Sequence, residues 1–517
     1  MWKCINFLSF ILFVINSLHA QQSPFFIDLK NKDLGDNYYQ TNSFCSNLND
    51  KEIIYINNSL SPDYPYLLDY SSKLIKSTKK GEILKEIILD DGNRRCISSF
   101  GKKIGDQFII MSFLHSADSF YLKVRKFNDD LEVNSVNDYP ITKYFDNKIN
   151  SVTDYVEMQT CIDDQGNTYI MLVTLLDMDP VMCFSFTPKG EIIKFKFLTG
   201  ISITEPDGLV YDNLSGNLSY ILDGRSKRIY SKDFEFIKSI ELWKDDDWSS
   251  PYDTTSGWAL SFLNVGDKIV RFGKTSFSYD NIEIDSFSYI GGRALSLADQ
   301  NGSIKGKVNI TDFNVSTESE GTPRLSGGLF YRDGFYYTLF EFSSTSFPFN
   351  TGNTTCIAKF DENFDIVQET RFVLDPRYRL FTVWAELTDD NSFIGSGFYY
   401  DVSPENPNAF ENGGGFIYGL AADGSPPILS AGDKIIKAVF TVKGNPTFNN
   451  LTIETDQQKS IDYEVRVLDI QGKFIKSATN WAQGRIELDL SSEKPGTYFY
   501  NIVEKGNSLI GGKFIKI

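Results

Sequence analysis

"EPDGLVYDNLSGNLSYILDGRSKRIY", Glu205 to Tyr230, shows the plan of the chain in 26 residues. The apolar runs Leu209–Tyr211 and Leu218–Leu222 flank a turn, Asp212 to Asn217, built from Asp, Asn, Ser and Gly. Such residues supply the positive φ that a tight hairpin demands. Directly after it, "YSKDFEFIKSI" reads as a second hairpin with its turn near Phe234. Two hairpins in series predict one four-stranded antiparallel sheet.

The same unit recurs from Phe44 to Ser430. Outer hairpins centre near Gly81, Asp129, Gly190, Phe234, Gly302, Asn363 and Gly424, the last within "LAADGSPPI". Each follows an inner hairpin such as "CIDDQGNTYIMLV", "LSFLNVGDKIVRF" or "GLFYRDGFYYTLF". Seven four-stranded sheets predict an all-β chain with a seven-bladed (six to eight) β-propeller, in which radial packing protects sheet edges. A stack of sandwiches is the rival, and the regular four-strand period favours the ring. The aromatic share, 15%, agrees, because Tyr and Phe suit half-buried pleated surfaces. The opening unit resembles a blade of the NHL and YWTD propeller families through Pro206-Asp207-Gly208-Leu209, Asp212, Gly216-Asn217-Leu218, Asp223 and Arg228-Ile229. That resemblance implies a fold and no activity. Those families often have six blades.

From about Ala438 the rhythm changes to short strands, "LTIET", "YEVRVLDI", "GRIELDL", "GTYFYNIV" and "GGKFIKI". This segment resembles the type A C-terminal sorting domain of the type IX secretion system of Bacteroidetes-type bacteria. The match rests on Asn445-Pro446 ahead of Leu451-Thr452-Ile453, Val467-Leu468-Asp469 with Gly472-Lys473, and Ile486, Leu488 and Leu490. It continues with Gly496-Thr497-Tyr498 and the closing Lys513-Phe514-Ile515-Lys516-Ile517. Gly444 stands where the family usually has a further proline. The resemblance implies a small β-sandwich read by the outer-membrane translocon and commonly removed on export. By strand pattern alone, an Ig-like adhesive domain has the same look.

The start, "MWKCINFLSFILFVINSLHAQQS", has Lys3, an apolar run from Phe7 to Val14, and Ala20 as a small residue for cleavage. It reads as a secretory signal peptide rather than a membrane anchor, because the run is short and Asn16, Ser17, Gln21 and Gln22 follow. The expected organisation is a leader over 1–20, a propeller over 21–437 and a sorting domain over 438–517. Without the leader the formal charge moves from −17 to −18, as Lys3 is its one charged residue. Such a chain is repelled by nucleic acid and anionic lipid. No later segment is long and apolar enough to span a bilayer, and a monomer is expected. Cys45, Cys96, Cys161, Cys183 and Cys356 form no CxxC pair and read as buried thiols, with one or two disulfides as the alternative.

In a four-stranded blade the first-to-second and third-to-fourth turns share one face of the ring. The second-to-third loops and the blade-to-blade connections share the other. Long segments fall in the second set: "NNSLSPDYPY" from Asn57, "WKDDDWSSPYDTTSGW" from Trp243 and "KTSFSYDNIEIDSFSYIGG" from Lys274. So do "TDFNVSTESEGTP" from Thr311, "SSTSFPFNTGNTT" from Ser343 and "YDVSPENPNAFENGGG" from Tyr400. Long loops carry function more often than tight turns, so this face is the candidate binding surface. Its richest stretch interleaves Trp243, Trp248, Tyr252 and Trp258 with Asp245, Asp246, Asp247 and Asp253. Flat rings stack on sugar faces, while carboxylates accept hydroxyl hydrogen bonds or hold Ca²⁺. The plain alternative is that the Trp rings wedge between blades and the acids are solvated.

A second group, "LDPRYRLFTVWAE", offers Arg377 and Arg379 to clamp a carboxylate, with Tyr378 and Trp384 beside them. Pairing with neighbouring acids is the alternative use. One histidine follows the leader, His115, so multi-histidine metal sites are excluded. Ser116 and Asp118 adjoin it in sequence, which is poor geometry for a triad. The expected function is ligand binding, to a glycan or a surface protein, with no cofactor identified and Ca²⁺ the one ion considered. The enzymatic alternative is a carbohydrate-active enzyme using paired carboxylates, and a third reading is a structural surface-layer component.

Overall fold

The computed structural model describes residues 25–29, 39–49, 51–60, 71–116, 119–142, 156–174, 181–198, 206–212, 215–222, 226–241, 261–265, 268–279, 288–299, 304–309, 328–344, 352–374, 378–388, 393–401, 414–420, 436–443, 445–455, 463–470, 473–504 and 507–517. Their regular elements are β-strands. The first, β1 (Phe25–Asp28), stands apart from those that follow it. Blade 1 is β2 (Tyr39–Asn47), β3 (Glu52–Leu60), β4 (Ser71–Thr78) and β5 (Ile83–Ile88). Blade 2 is β6 (Arg95–Ile104), β7 (Gln107–Ser116), β8 (Ser119–Phe127) and β9 (Val133–Pro140). Blade 3 is β10 (Val156–Ile162), β11 (Thr168–Thr174), β12 (Val181–Phe186) and β13 (Ile192–Leu198). Blade 4 is β14 (Pro206–Asp212), β15 (Asn217–Leu222), β16 (Ser226–Tyr230) and β17 (Phe236–Glu241). Blade 5 is β18 (Ser261–Val265), β19 (Lys268–Tyr279), β20 (Ser288–Asp299) and β21 (Ile304–Asn309). Blade 6 is β22 (Leu329–Arg332), β23 (Phe335–Ser344), β24 (Gly352–Phe360) and β25 (Ile366–Leu374). Blade 7 takes β26 (Tyr378–Leu387), β27 (Phe393–Asp401) and β28 (Gly414–Leu420) from this end of the chain and β1 from the other.

That makes seven blades, as the hairpin count predicts. The seventh outer hairpin differs. The neighbour of β28 is β1, in register from Phe25↔Gly419 to Asp28↔Phe416, and the segment expected to fold back around Gly424 lies outside the described residues. The amino-terminal strand therefore closes the ring. Trp384 of β26 sits behind this closure, buried, with its indole N–H donating to the Cys45 carbonyl at 3.0 Å. Phe44 of β2 packs edge-on against Trp384, ring centroids 5.6 Å apart, and presses its ring where a Cβ on Gly101 would stand, 2.4 Å from its Cγ. Glycine at 101 is thus what lets blades 7, 1 and 2 meet.

The first strands of neighbouring blades pack on one another, and the fourth strands form the rim, where every residue of β9 except Tyr139 is exposed. Five outer hairpins share one turn. Thr78, Asn128, Thr187, Ser231 or Asp361 opens it, and the side-chain oxygen accepts the backbone N–H groups two and four residues on. The fourth residue takes positive φ. It is glycine at 81 and 190, but Leu131 (φ 55°), Phe234 (φ 59°) and Phe364 (φ 67°) elsewhere. Glycine, Asp and Asn are therefore not the whole basis of these turns. The three large residues are buried, and their apolar burial offsets a backbone cost of roughly 1–2 kcal/mol.

The tail is a sandwich whose first sheet grows out of the ring. Strand β29 (Ile436–Lys443) pairs antiparallel with β25, the outer strand of blade 6, from Gln368↔Lys443 to Leu374↔Ile436. Next come β30 (Asn450–Thr455) and, beside it, β33 (Arg485–Asp489), giving one seven-stranded sheet. The facing sheet has the order β32 (Phe474–Ala478), β31 (Tyr463–Asp469), β34 (Gly496–Glu504), β35 (Asn507–Lys516). Phe440 and Val442 of β29 join Leu451, Val465, Ile486, Tyr500 and Phe514 in the core between the sheets. On the other side of β29, Thr441 meets Thr370 of β25, hydroxyl to hydroxyl at 3.2 Å.

Candidate functional site

Strand order treats the two faces of the ring unequally. On one face the turns are tight: 105–106, 128–132, 163–167, 187–191, 231–235, 333–334 and 361–365. The strands that flank 61–70, 242–260, 280–287, 310–328, 345–351 and 402–413 have their adjoining ends at the opposite face. The stretches that the sequence marks as long adjoin those strand ends, but 274–279 and 288–292 of one of them belong to β19 and β20 rather than to a loop.

Trp243, Asp245, Asp246, Asp247, Trp248, Tyr252 and Trp258 lie in the connection from blade 4 to blade 5, outside the described residues. Arg377 lies outside them too, between blades 6 and 7. Tyr378 and Arg379 open β26, in register with Asp401 and Tyr400 of β27. Trp384 does not join them, because it is the buried wedge at the ring closure described above. His115 is the penultimate residue of β7, half-buried, with its ring 4.5 Å from that of Phe120. Ser116, next in the same strand, projects from the opposite side of the sheet, so the two cannot form a nucleophile–base pair. Among the described residues no cluster of His, Cys, Asp and Glu is placed to hold a metal. Cys45, Cys96, Cys161 and Cys183 are in no disulfide, and burial pushes each thiol up.

The sequence did not single out the charged seam between blades 1 and 2, although "LDDGNRR" carries it. Arg94 pairs with Asp138 and lies 3.7 Å over the Tyr121 ring, while Lys123 donates to Asp91 at 2.5 Å. Arg125 is buried and donates to the Leu89 carbonyl at 2.9 Å and the Ser112 hydroxyl at 3.2 Å. Burial draws its guanidinium below the ordinary range. These groups brace the connection and leave no free acid or base.

On the tight-turn face, Asp163 has the same bracing use. One carboxylate oxygen accepts the backbone N–H groups of Gln165 and Asn167, at 2.9 and 2.8 Å. The other accepts Lys232 Nζ of blade 4 at 2.8 Å and the Tyr169 hydroxyl at 3.1 Å. Burial by itself would raise this carboxyl, but the Lys232 contact and the turn donors outweigh it and hold it at about 2. Both oxygens of Asp163 are therefore engaged by protein donors.

The sorting residues, 70 positions apart in sequence, converge at one end of the sandwich. Asn445 is buried and its Oδ1 accepts Ile515 N–H at 2.9 Å. Pro446 follows through a cis peptide bond, and Thr447 exchanges backbone hydrogen bonds with Ile515 and Ile517 at 2.8 and 3.0 Å. Gly496 stands opposite Lys516, and Lys513 opposite Phe499. Tyr498 stacks on Phe514 at 5.7 Å and donates to the Lys494 carbonyl at 2.8 Å. Lys473 closes the neighbouring turn, its N–H donating to Asp469 Oδ1 at 2.9 Å, and Gly472 beside it lies outside the described residues. Residues scattered in sequence thus lock the carboxy-terminal strand against the entry to the domain.

Comparison with known proteins matches residues 444–516 to the secretion system C-terminal sorting domain family. No curated protein matches the chain. Among solved structures it is similar to BamB from Moraxella catarrhalis, at 8% identity and TM-score 0.29 over 82% of this chain and 100% of that one. It is also similar to the polysaccharide lyase Uly1, at 9% identity and TM-score 0.36 over 75% and 90% of the two chains. A third is the Dos1 propeller, at 10% identity and TM-score 0.29 over 82% and 95%. These likenesses are loose, and the blade architecture rests on the strand pairing itself. Among the described residues no helix is long and apolar enough to cross a membrane. Residues 444–516 are a type IX secretion C-terminal sorting domain, which implies export to the cell surface or the medium.

Proposed function

We propose that this protein is an exported propeller whose loop-bearing face binds a glycan or a protein of the cell surface, with residues 1–20 as a cleaved leader. The observation that supports the reading is the segregation of connections by length: tight turns on one face, and on the other the strand ends that flank the long connections within and between blades. One of the two longest, 242–260, is also the richest in side chains that recognise sugars. Trp243, Trp248, Tyr252 and Trp258 offer flat apolar faces, and Asp245, Asp246 and Asp247 accept hydroxyl hydrogen bonds or hold Ca²⁺. Arg377, Tyr378 and Arg379 lie in a connection and strand start of the same face and suit an acidic sugar or a carboxylate.

The test is a glycan-array screen of residues 21–517, repeated on Trp248→Ala and with the calcium chelator EGTA. Binding that drops about tenfold in Trp248→Ala, as loss of one stacking aromatic implies, supports the reading. Absence of binding to any glycan together with turnover of a polysaccharide would replace it with the paired-carboxylate enzyme. The screen needs the chain through 517, since β29 completes the edge of blade 6.

A further inference from the structure

The rim of the ring is a series of seven sheet edges, and six of them are blunted or covered. An open edge is a template for another strand, and charged side chains, lysine above all, block it. β5 carries Lys85, β13 Lys194 and Lys196, β17 Lys238, and β21 Lys305 and Lys307. β1 is only four residues long. β25 has no lysine, and β29 lies along it. β9, "VNSVNDYP", has no lysine either, and among the described residues no strand pairs with its outer edge. Its one charged side chain is Asp138, which Arg94 pairs. Residues 133–138 are exposed. Ile141 N–H donates to the Phe120 carbonyl at 2.9 Å. By alternation from that bond, Tyr139, Asn137 and Ser135 turn their backbone groups toward β8, while Asp138 and Val136 turn theirs outward.

We infer that β9 is a dimer edge: two copies of the chain pair antiparallel through it, about a two-fold axis at Asn137. In that register Val136 of each copy lies opposite Asp138 of the other. The outward N–H and C=O groups of both residues are then satisfied reciprocally. The pairing stays clear of the bulge that interrupts β9 between Val133 and Ser135. Asn137 meets Asn137, and a carboxamide, donor and acceptor at once, is its own complement. This self-match selects a second copy over a foreign strand. Charge permits it, since Asp138 faces a valine and, by the same count, Glu132 of the acidic turn falls opposite Thr142. An axis at Asp138 would set carboxylate against carboxylate, and one at Val136 would run the ladder into the bulge. Each leader-free copy has a formal charge of −18, from 50 basic against 68 acidic residues. The pair is therefore weak at low salt and tightens as screening shortens toward about 3 Å at 1 M. A concentration-dependent dimer replaces the monomer expected from the sequence, whatever the loop-bearing face binds.

Sedimentation velocity on residues 21–517, over a concentration series in low and in high salt, reads the pair directly. The unsubstituted chain is expected to dimerise, and more tightly in high salt. Asn137→Lys, which sets lysine against lysine across the axis, should weaken association about tenfold. Asn137→Glu should do the same, and an equal mixture of the two variants should associate again. Ile83→Lys on β5 should dimerise like the unsubstituted chain, and melting should be the same for all. A chain that stays monomeric at every concentration overturns the dimer edge. A dimer that Asn137→Lys leaves intact is made elsewhere and overturns it as well. Mixed variants that fail to associate overturn the axis at Asn137. Val136 and Asp138 amides that become protected only when a second, different protein is added overturn the pairing of copies in favour of a foreign strand.

Discussion

Single side chains hold this molecule together mainly by closing turns and bridging blades. Asp163 does both, and its titration makes the bridge measurable. Its folded carboxyl sits at about 2, below the unfolded value of about 3.9. The stabilisation is therefore complete above about pH 4 and lost as pH falls toward 2. Because Lys232 is partly exposed, the contribution is on the order of 1–2 kcal/mol rather than the full value of the shift. Asp163→Asn is expected to lower the midpoint of denaturant unfolding at pH 7 and to flatten its dependence between pH 4 and 2. An unchanged acid limb would mean that other carboxylates carry it. In the tail, Asn445→Ala removes the acceptor for Ile515 N–H. A loss of about 1–2 kcal/mol is expected, read as faster amide exchange at Ile515 with the blades unaffected.

At the scale of the element, β29 decides how the two parts of the chain relate. Without it the first sheet of the sandwich would be the pair β30 and β33, and a two-stranded ribbon is marginal in water. With it, Phe440 and Val442 enter the tail core while Thr441 touches Thr370 of the propeller. Thr441→Pro removes a ladder donor from the middle of the seven-stranded sheet. It is expected to speed exchange in β30 and β33 and to leave blades 1 to 3 protected. Equal protection throughout would show that the sandwich stands without the shared strand. The outer edge of β25 would itself be open if β29 left it, whereas the rim strands β5, β13 and β17 carry Lys85, Lys194 with Lys196, and Lys238 against edge pairing.

For the whole molecule, closure depends on four residues at the amino-terminal side. Deleting Phe25–Asp28 leaves β28 without its outer neighbour. The expected result is a lower melting temperature and concentration-dependent association through the bared edge, seen by calorimetry and light scattering. A monomer that melts as before would show that the Trp384–Phe44 packing alone suffices to shut the ring. Blade count, hairpin turns and the division of long from short connections were all legible, because each is written in local alternation and turn chemistry. The partner of β28 was not, since Asp28 of β1 and Gly414 of β28 are separated by the six intervening blades.

The tail's sorting role came from a family resemblance, whereas local pattern alone established a series of four-stranded sheets and an acidic ring with a near-neutral appendix. Those features follow from side-chain alternation, turn residues and charge, which need no knowledge of distant neighbours. Tertiary structure decided the rest: that the first strand ends up in the last blade, that Trp384 is a wedge rather than a site residue, and that Phe234 and Phe364 take positive φ. It also decided that the tail is stitched to blade 6 by a shared strand, bringing Asn445 against Ile515. Each of these is a pairing across long sequence separation, stabilised by burial that exists only once the partner has arrived, and no stretch read by itself contains it.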